Sequence, residues 1–173
     1  MAEGEKAHAE GWLTKASGSS SHAEGHGSYA YGYASHAEGY YTQAGLEDRT
    51  GSNVSGYSHA EGERTLAGAY SSHAGGKGVR IGRYAESSFA HGQGLDVWDV
   101  NQFAIGKWNK NYVEYANTSH PNGHLVFVIG NGSGSFKDNG EWENESRSNL
   151  FEIWSNGKIY VNIEGTMQEL VTK

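Results

Sequence analysis

Ser, His and Glu recur together along the first half of this chain, and these residue types can do nucleophilic, acid–base or metal chemistry. The quartet HAEG starts at His8, His22, His36 and His59. A degraded copy, HAGG, starts at His73, and a more distant one, HGQG, at His91. The steps between them are 14, 14, 23, 14 and 18 residues. A Ser-His-Glu triad needs one assembled site, whereas this set returns with every repeat. Neighbours such as Ser21 and His22 also point to opposite faces of a strand, so they cannot form a nucleophile–base pair within one repeat. The expectation is no enzymatic activity. Instead His8, His22, His36 and His59 form a structural ladder beside Glu10, Glu24, Glu38 and Glu61, pairing within or between chains. Stability of the assembly should then respond to pH in the histidine range. Rows of His beside Glu could also hold an ion. The hydrogen-bonded stack is the reading kept, with no metal and no cofactor assigned.

The elements that carry these residues follow from the period. The unit reads approximately S-H-A-E-G-x-x-T-x-A-x-G-x-x, with Thr14, Thr42 and Thr65 in the Thr slot and Ala16, Ala30, Ala44 and Ala67 in the Ala slot. Fourteen residues are too few for the helix pairs of most α-solenoids and suit two short strands and two tight turns, one coil of a β-solenoid. Ser21 and Ala23 then share the small inner face, and His22 and Glu24 the outer one. Gly25 and Gly32 fall where the chain must turn sharply. Six coils at the strand spacing make a rod roughly 25–30 Å long. The 23-residue step reads as one unit plus an insertion within Gly45–Val54.

Composition separates two regions. Residues 16–94 hold only five large aliphatics, Leu46, Val54, Leu66, Val79 and Ile81. LVFVI (Leu125–Ile129), LFEIW (Leu150–Trp154) and KIYVNI (Lys158–Ile163) read as ordinary strands. A boundary is therefore expected near residue 95, with a β-roll over 1–95 and a capping coil plus hairpins over 96–173. Coils filled with Ala, Ser and Gly bury little apolar area, so identical rods are expected to pack side by side. The net charge of −7 argues against phosphate-backbone binding. No basic and apolar leader follows Met1, no stretch approaches a membrane span, and there is no Cys. The chain is expected to be soluble, with no nucleic-acid partner and no membrane insertion. Met1 starts mid-repeat, as in a piece of something longer.

The SHAEG…T.A.G repeat resembles the head repeats of YadA-like trimeric autotransporter adhesins. It is closer to the SHAEG-type repeats of bacteriophage tail-fibre and baseplate proteins. NQFAIGKWN (Asn101–Asn109), FVIGNGS (Phe127–Ser133) and RSNLFEIWSNGKIYV (Arg147–Val161) are similar to segments that follow such repeats in phage tail proteins. The resemblance implies a homotrimer of left-handed parallel β-rolls with a role in adhesion or receptor binding. An autotransporter also needs a signal, a coiled-coil stalk and a membrane barrel. The phage branch is therefore preferred, with the virion tail as location and other tail or baseplate proteins as partners. The alternative is the head of a bacterial surface adhesin that binds host protein or matrix.

Other residues are candidates for the ligand surface. Tyr29, Tyr31 and Tyr33 alternate and are expected to share one strand face, with Tyr40 and Tyr41 in the next coil. Tyrosine on a rigid strand suits sugar rings or protein patches, and equally suits packing between rods. Two loops interrupt the pattern, LEDRTGSN (Leu46–Asn53) and FKDNGEWENESR (Phe136–Arg147), and loops on a regular scaffold are where binding tends to reside. In the second, Asp138, Asn139 and Trp142 are the candidate contacts. A polysaccharide depolymerase would need paired carboxylates, for which Glu141, Glu143 and Glu145 are the one local cluster. GNGSGS (Gly130–Ser135) lacks the GK[ST] and following helix of a phosphate loop and reads as a turn. The expected whole is an all-β chain, a parallel β-solenoid of about 14-residue coils followed by a β-hairpin region. Its expected ligand is a bacterial cell-surface glycan or protein.

Overall fold

A computed structural model of the chain describes residues 1–47, 55–111 and 123–170. Five-residue and two-residue strands alternate along the first two thirds. They are β1 (His8–Trp12), β2 (Lys15–Ala16), β3 (His22–His26), β4 (Tyr29–Ala30), β5 (His36–Tyr40), β6 (Gln43–Ala44), β7 (His59–Glu63), β8 (Leu66–Ala67), β9 (His73–Lys77), β10 (Arg80–Ile81), β11 (Phe89–Gln93), β12 (Asp96–Val97) and β13 (Phe103–Lys107). The long strands stack in parallel in one sheet and the short ones in a second. The result is a parallel β-solenoid of about seven coils, as the 14-residue unit predicts. No helix occurs among the described residues, so none is long and apolar enough to cross a membrane.

The register is in phase with the repeat: His22 pairs with His36, Ala23 with Ala37, Glu24 with Glu38 and Gly25 with Gly39. Each Ala of this column from Ala23 to Ala104 is fully buried, and a second column, Ala16, Ala30, Ala44 and Ala67, closes the coil from the opposite sheet. The Ser before the His points inward at Ser21, Ser35 and Ser72, where it caps its own turn by donating to the carbonyls of Gly18, Gly32 and Ala69 at 2.6–2.7 Å. The quartet's Gly has φ of +97° at Gly25 and +116° at Gly39. A Cβ on Gly39 would sit 2.2 Å from the Gly62 carbonyl oxygen, so no other residue fits between coils stacked this closely.

The roll runs through the expected capping coil and one rung further. The parallel stack is not ended by the composition change near residue 95. It runs through β13 into β14 (Leu125–Asn131), where Phe127 pairs with Phe103 and Gly130 with Gly106. The strand β17 (Asn149–Trp154) then pairs antiparallel to β14, followed by β18 (Ile159–Ile163) and β19 (Thr166–Glu169) in the same sheet. One continuous sheet therefore joins roll and hairpins, because FVIGN repeats the F-[A/V]-I-G pattern of FAIGK and offers the next rung.

The frame of the late coil also differs from the expected one. HGQG at His91 is not the quartet copy. Phe89 pairs with His73, and His91 with Gly75. Phe89 and His91 lie on the same strand face, so alternation alone allows either frame. Ala90 decides, because it continues the buried Ala column beside Ala74 where Gly92 would leave it unfilled.

Between β14 and β17 the chain makes a separate hairpin, β15 (Ser133–Phe136) with β16 (Trp142–Ser146). Only Gly132 separates β14 from β15, so GNGSGS is mostly strand rather than turn. The hairpin folds back along the roll. Phe136 covers Gly78, where a Cβ would meet its ring at 2.1 Å, and Trp108 packs 5.2 Å from Phe136. Arg147 donates to the carbonyls of Gly94 and Asn109 at 3.0 and 3.2 Å and stacks over Trp142 at 4.3 Å.

Candidate functional site

The His ladder is real as geometry. The rings of His22, His36 and His59 stack at centroid spacings of 4.8 Å, nearly parallel. The column then continues through His73, Phe89, Phe103 and Phe127 at 4.7–5.6 Å. The signal for this continuation is the F-A-x-G pattern, hidden by the shifted frame. His–Glu pairs form within a coil early on, His8 with Glu10 at 3.3 Å and His22 with Glu24 at 3.8 Å. Later they reach across coils, His59 to Glu38 at 3.6 Å and His73 to Glu61 at 3.3 Å. Burial alone would push the Glu38 carboxyl up. Hydrogen bonding to Glu24 and the charges of His36 and His59 outweigh it and hold Glu38 below the usual carboxylate range. The Glu column, the glycines that follow it and His91 line a shallow trough of about 690 Å³, with Glu10, Glu24, Glu38 and Glu61 on its wall.

The tyrosines do not form one surface. The strand that begins at Tyr29 ends at Ala30, so the alternation expected to carry Tyr33 onto the same face is cut by a turn. Tyr29 and Tyr31 stack at 5.8 Å, half-buried, with Lys15 over Tyr31 at 5.6 Å. Burial, with Glu47 nearby, pushes the Tyr31 phenol up and keeps it a neutral donor. Tyr33 is exposed and meets Tyr57 edge-on at 5.5 Å in a different corner. Of the loop Leu46–Asn53, residues 48–53 lie outside the described residues.

Tyr40 and Tyr41 instead meet the folded-back hairpin. The rings of Trp12, His26 and Tyr40 run up the end of the long strands at 4.4 and 5.0 Å, and Tyr41 packs edge-on to Tyr40 at 4.6 Å. Arg64 lies 5.5 Å over Tyr40 and donates to the Asp138 carbonyl at 2.7 Å and to Glu63 at 2.9 Å. The hairpin tip can come this close because residue 140 is Gly; a Cβ there would strike the Arg64 side chain at 2.3 Å. Tyr40, Tyr41, Arg64, Asp138, Asn139 and Gly140 line a cleft of about 420 Å³. Two groups of candidates almost a hundred residues apart thus share one concavity, and Arg64, which the sequence reading missed, joins them.

Trp142 does not belong to this cleft. It lies on strand β16 rather than in a loop, in a neighbouring depression of about 350 Å³ with Arg80 and Glu141. There it is held between Arg80 at 4.6 Å and Arg147 at 4.3 Å. Asp96 keeps Arg80 charged through a two-pronged hydrogen bond of 2.9 Å on each arm. The three neighbouring carboxylates have separate engagements: Glu141 with Lys137, Glu143 with Ser135 and Glu145 with Arg147.

The segments that carry the resemblance also come together. The Asn109 side chain exchanges two hydrogen bonds with the Asp96 backbone, at 2.8 and 2.9 Å, taking the place of a further short-strand rung. Asn149 does the same with Lys110, and buried Glu152 accepts from Asn149 and from the Trp154 indole. KWN and RSN..E.W therefore anchor the hairpin and close the end of the roll. No protein-family model matches the chain, and neither does any curated protein or solved structure.

Proposed function

We propose that this chain is a structural and receptor-binding part of a phage tail fibre or baseplate, working as a homotrimer and recognising a bacterial surface glycan. The observation that carries the reading is the cleft at Tyr40, Tyr41, Arg64, Asp138 and Asn139. Aromatic faces on rigid rungs offer a flat apolar platform, and guanidinium, carboxylate and amide groups at the rim suit sugar hydroxyls. The slender Ala interior supports side-by-side packing of copies, and three copies would present the cleft three times, with a gain in avidity. The virion context rests on the SHAEG resemblance.

The experiment is binding of the full chain to immobilised bacterial envelope glycans, with its solution mass measured by light scattering beside it. The expected result is retention on at least one glycan class, a mass three times that of the 18.7 kDa chain, and loss of about tenfold in affinity for Tyr40→Ala, some 1.4 kcal/mol. Retention unchanged in both Tyr40→Ala and Asp138→Ala would remove the cleft as the site, and a monomeric mass would remove the fibre architecture.

A further inference from the structure

The outer carboxylate ladder ends at Glu61. In the column Glu10, Glu24, Glu38, Glu61 the next rung is Gly75 and the one after it His91. A carboxylate is missing where the pattern demands one, and an imidazole stands where another was due. The rungs beyond His91 are Ile105 and Ile129, so Gly75 and His91 stand where the carboxylate column gives way to an apolar one.

The departure builds a pocket. A Cβ on Gly75 would lie 2.5 Å from His91 Nδ1 and 2.8 Å from Glu61 Oε1, so both side chains turn into the space the missing carboxylate leaves. His73 Nε2 comes to the same carboxylate oxygen at 3.3 Å, and His91 Nδ1 at 3.7 Å. All three ligand atoms lie within 4.8 Å of one another. Two atoms bound tetrahedrally to one zinc ion at its usual bond lengths stand about 3.3 Å apart. One of these separations already has that value and a second is a few tenths longer. Each group comes from a different coil, so the strand stack fixes their spacing. The His73 ring is further held between His59 and Phe89, at 4.7 and 4.9 Å.

We propose that Glu61, His73 and His91 form a binding site for a divalent transition-metal ion of the zinc type. Two imidazoles and one carboxylate supply three ligands, and His91, the most exposed of the three, leaves the fourth position open to solvent or to a donor from another molecule. The sets Glu24, His36, Glu38 and Glu38, His59, Glu61 are poorer. Each has one imidazole and two carboxylates, and the second shares Glu61 with the proposed site.

The test is titration of the full chain with ZnCl₂ by calorimetry, with the visible spectrum of Co²⁺ as a second readout. The expected result is one ion per chain with a micromolar or tighter dissociation constant and a tetrahedral Co²⁺ band. His91→Ala should weaken binding by about tenfold or more and abolish the band. Gly75→Leu, which fills the pocket without adding a ligand, should do the same, while His22→Ala, in the regular ladder, should leave binding unchanged. No binding at micromolar zinc, or binding unaltered by His91→Ala, would overturn the proposal. Because Gly75 has ordinary backbone geometry and His91 lies on the surface, folding should survive both changes, and circular dichroism verifies this.

Discussion

The first coils and the last ones share a backbone and the buried Ala column of the long strands, but not the rest of the core. From β1 to β8 the interior is Ala16, Ala23, Ala30, Ala37, Ala44, Ala60 and Ala67 with inward Ser and Thr. From residue 79 onward Val79, Ile81, Leu95, Val97, Leu125, Val128 and Trp154 fill it beside Ala90 and Ala104, and Trp108 is buried beneath the hairpin. The later region also has antiparallel strands across its end and a hairpin along its side. The early coils have each other and, at Arg64, only the tip of that hairpin, with exposed Trp12, Leu13, Tyr33 and Tyr57 on the outside. The same coil can thus be held by apolar filling or by repetition of close backbone stacking. The second way leaves outer apolar groups for neighbours to cover.

Trp154→Ala should sharpen the contrast most. It empties the buried end of the roll and removes a donor to Glu152, with an expected loss of about 3–5 kcal/mol in chemical denaturation. A loss below 1 kcal/mol would mean that the closing strands contribute little. Next, Ala37→Val forces two methyl groups into a column with no slack and should cost about 1–3 kcal/mol, whereas Ile81→Val, which removes one methyl from the fuller region, should cost about 0.5–1.5 kcal/mol. Equal effects would show that the two interiors are packed alike.

The smallest effect concerns Glu38. A carboxyl held below its unfolded value adds stability above that value, and the addition vanishes as pH falls through the folded value. Glu38→Gln should therefore be slightly less stable than the parent at pH 7 and indistinguishable from it near pH 3. The gap should be below about 1 kcal/mol, because the side chain is partly solvated. Urea melts at the two pH values measure it.

Much of the roll was legible along the chain. A strand has a side-chain period of two, and a coil this narrow admits only small residues inside, so Ser-His-Ala-Glu-Gly at a 14-residue spacing fixes which face is core. The candidate cleft was half legible. Tyr40, Tyr41, Asp138 and Asn139 were visible as types, but Arg64 between them was not, and Tyr29 and Trp142 belong elsewhere. Their grouping depends on where the hairpin lands, and that is set by Phe136 over Gly78 and Arg147 against Gly94, contacts between distant segments that leave no period in the sequence.

The sequence by itself determined the coil, its direction of burial and its all-β character, because these repeat locally and each copy states them again. The tertiary structure alone decided the frame of the late coils, the continuation of the His column into Phe, and the meeting of Glu61, His73 and His91. Those depend on which rung sits on which, and stacking makes neighbours of residues that the chain keeps 12 to 30 positions apart.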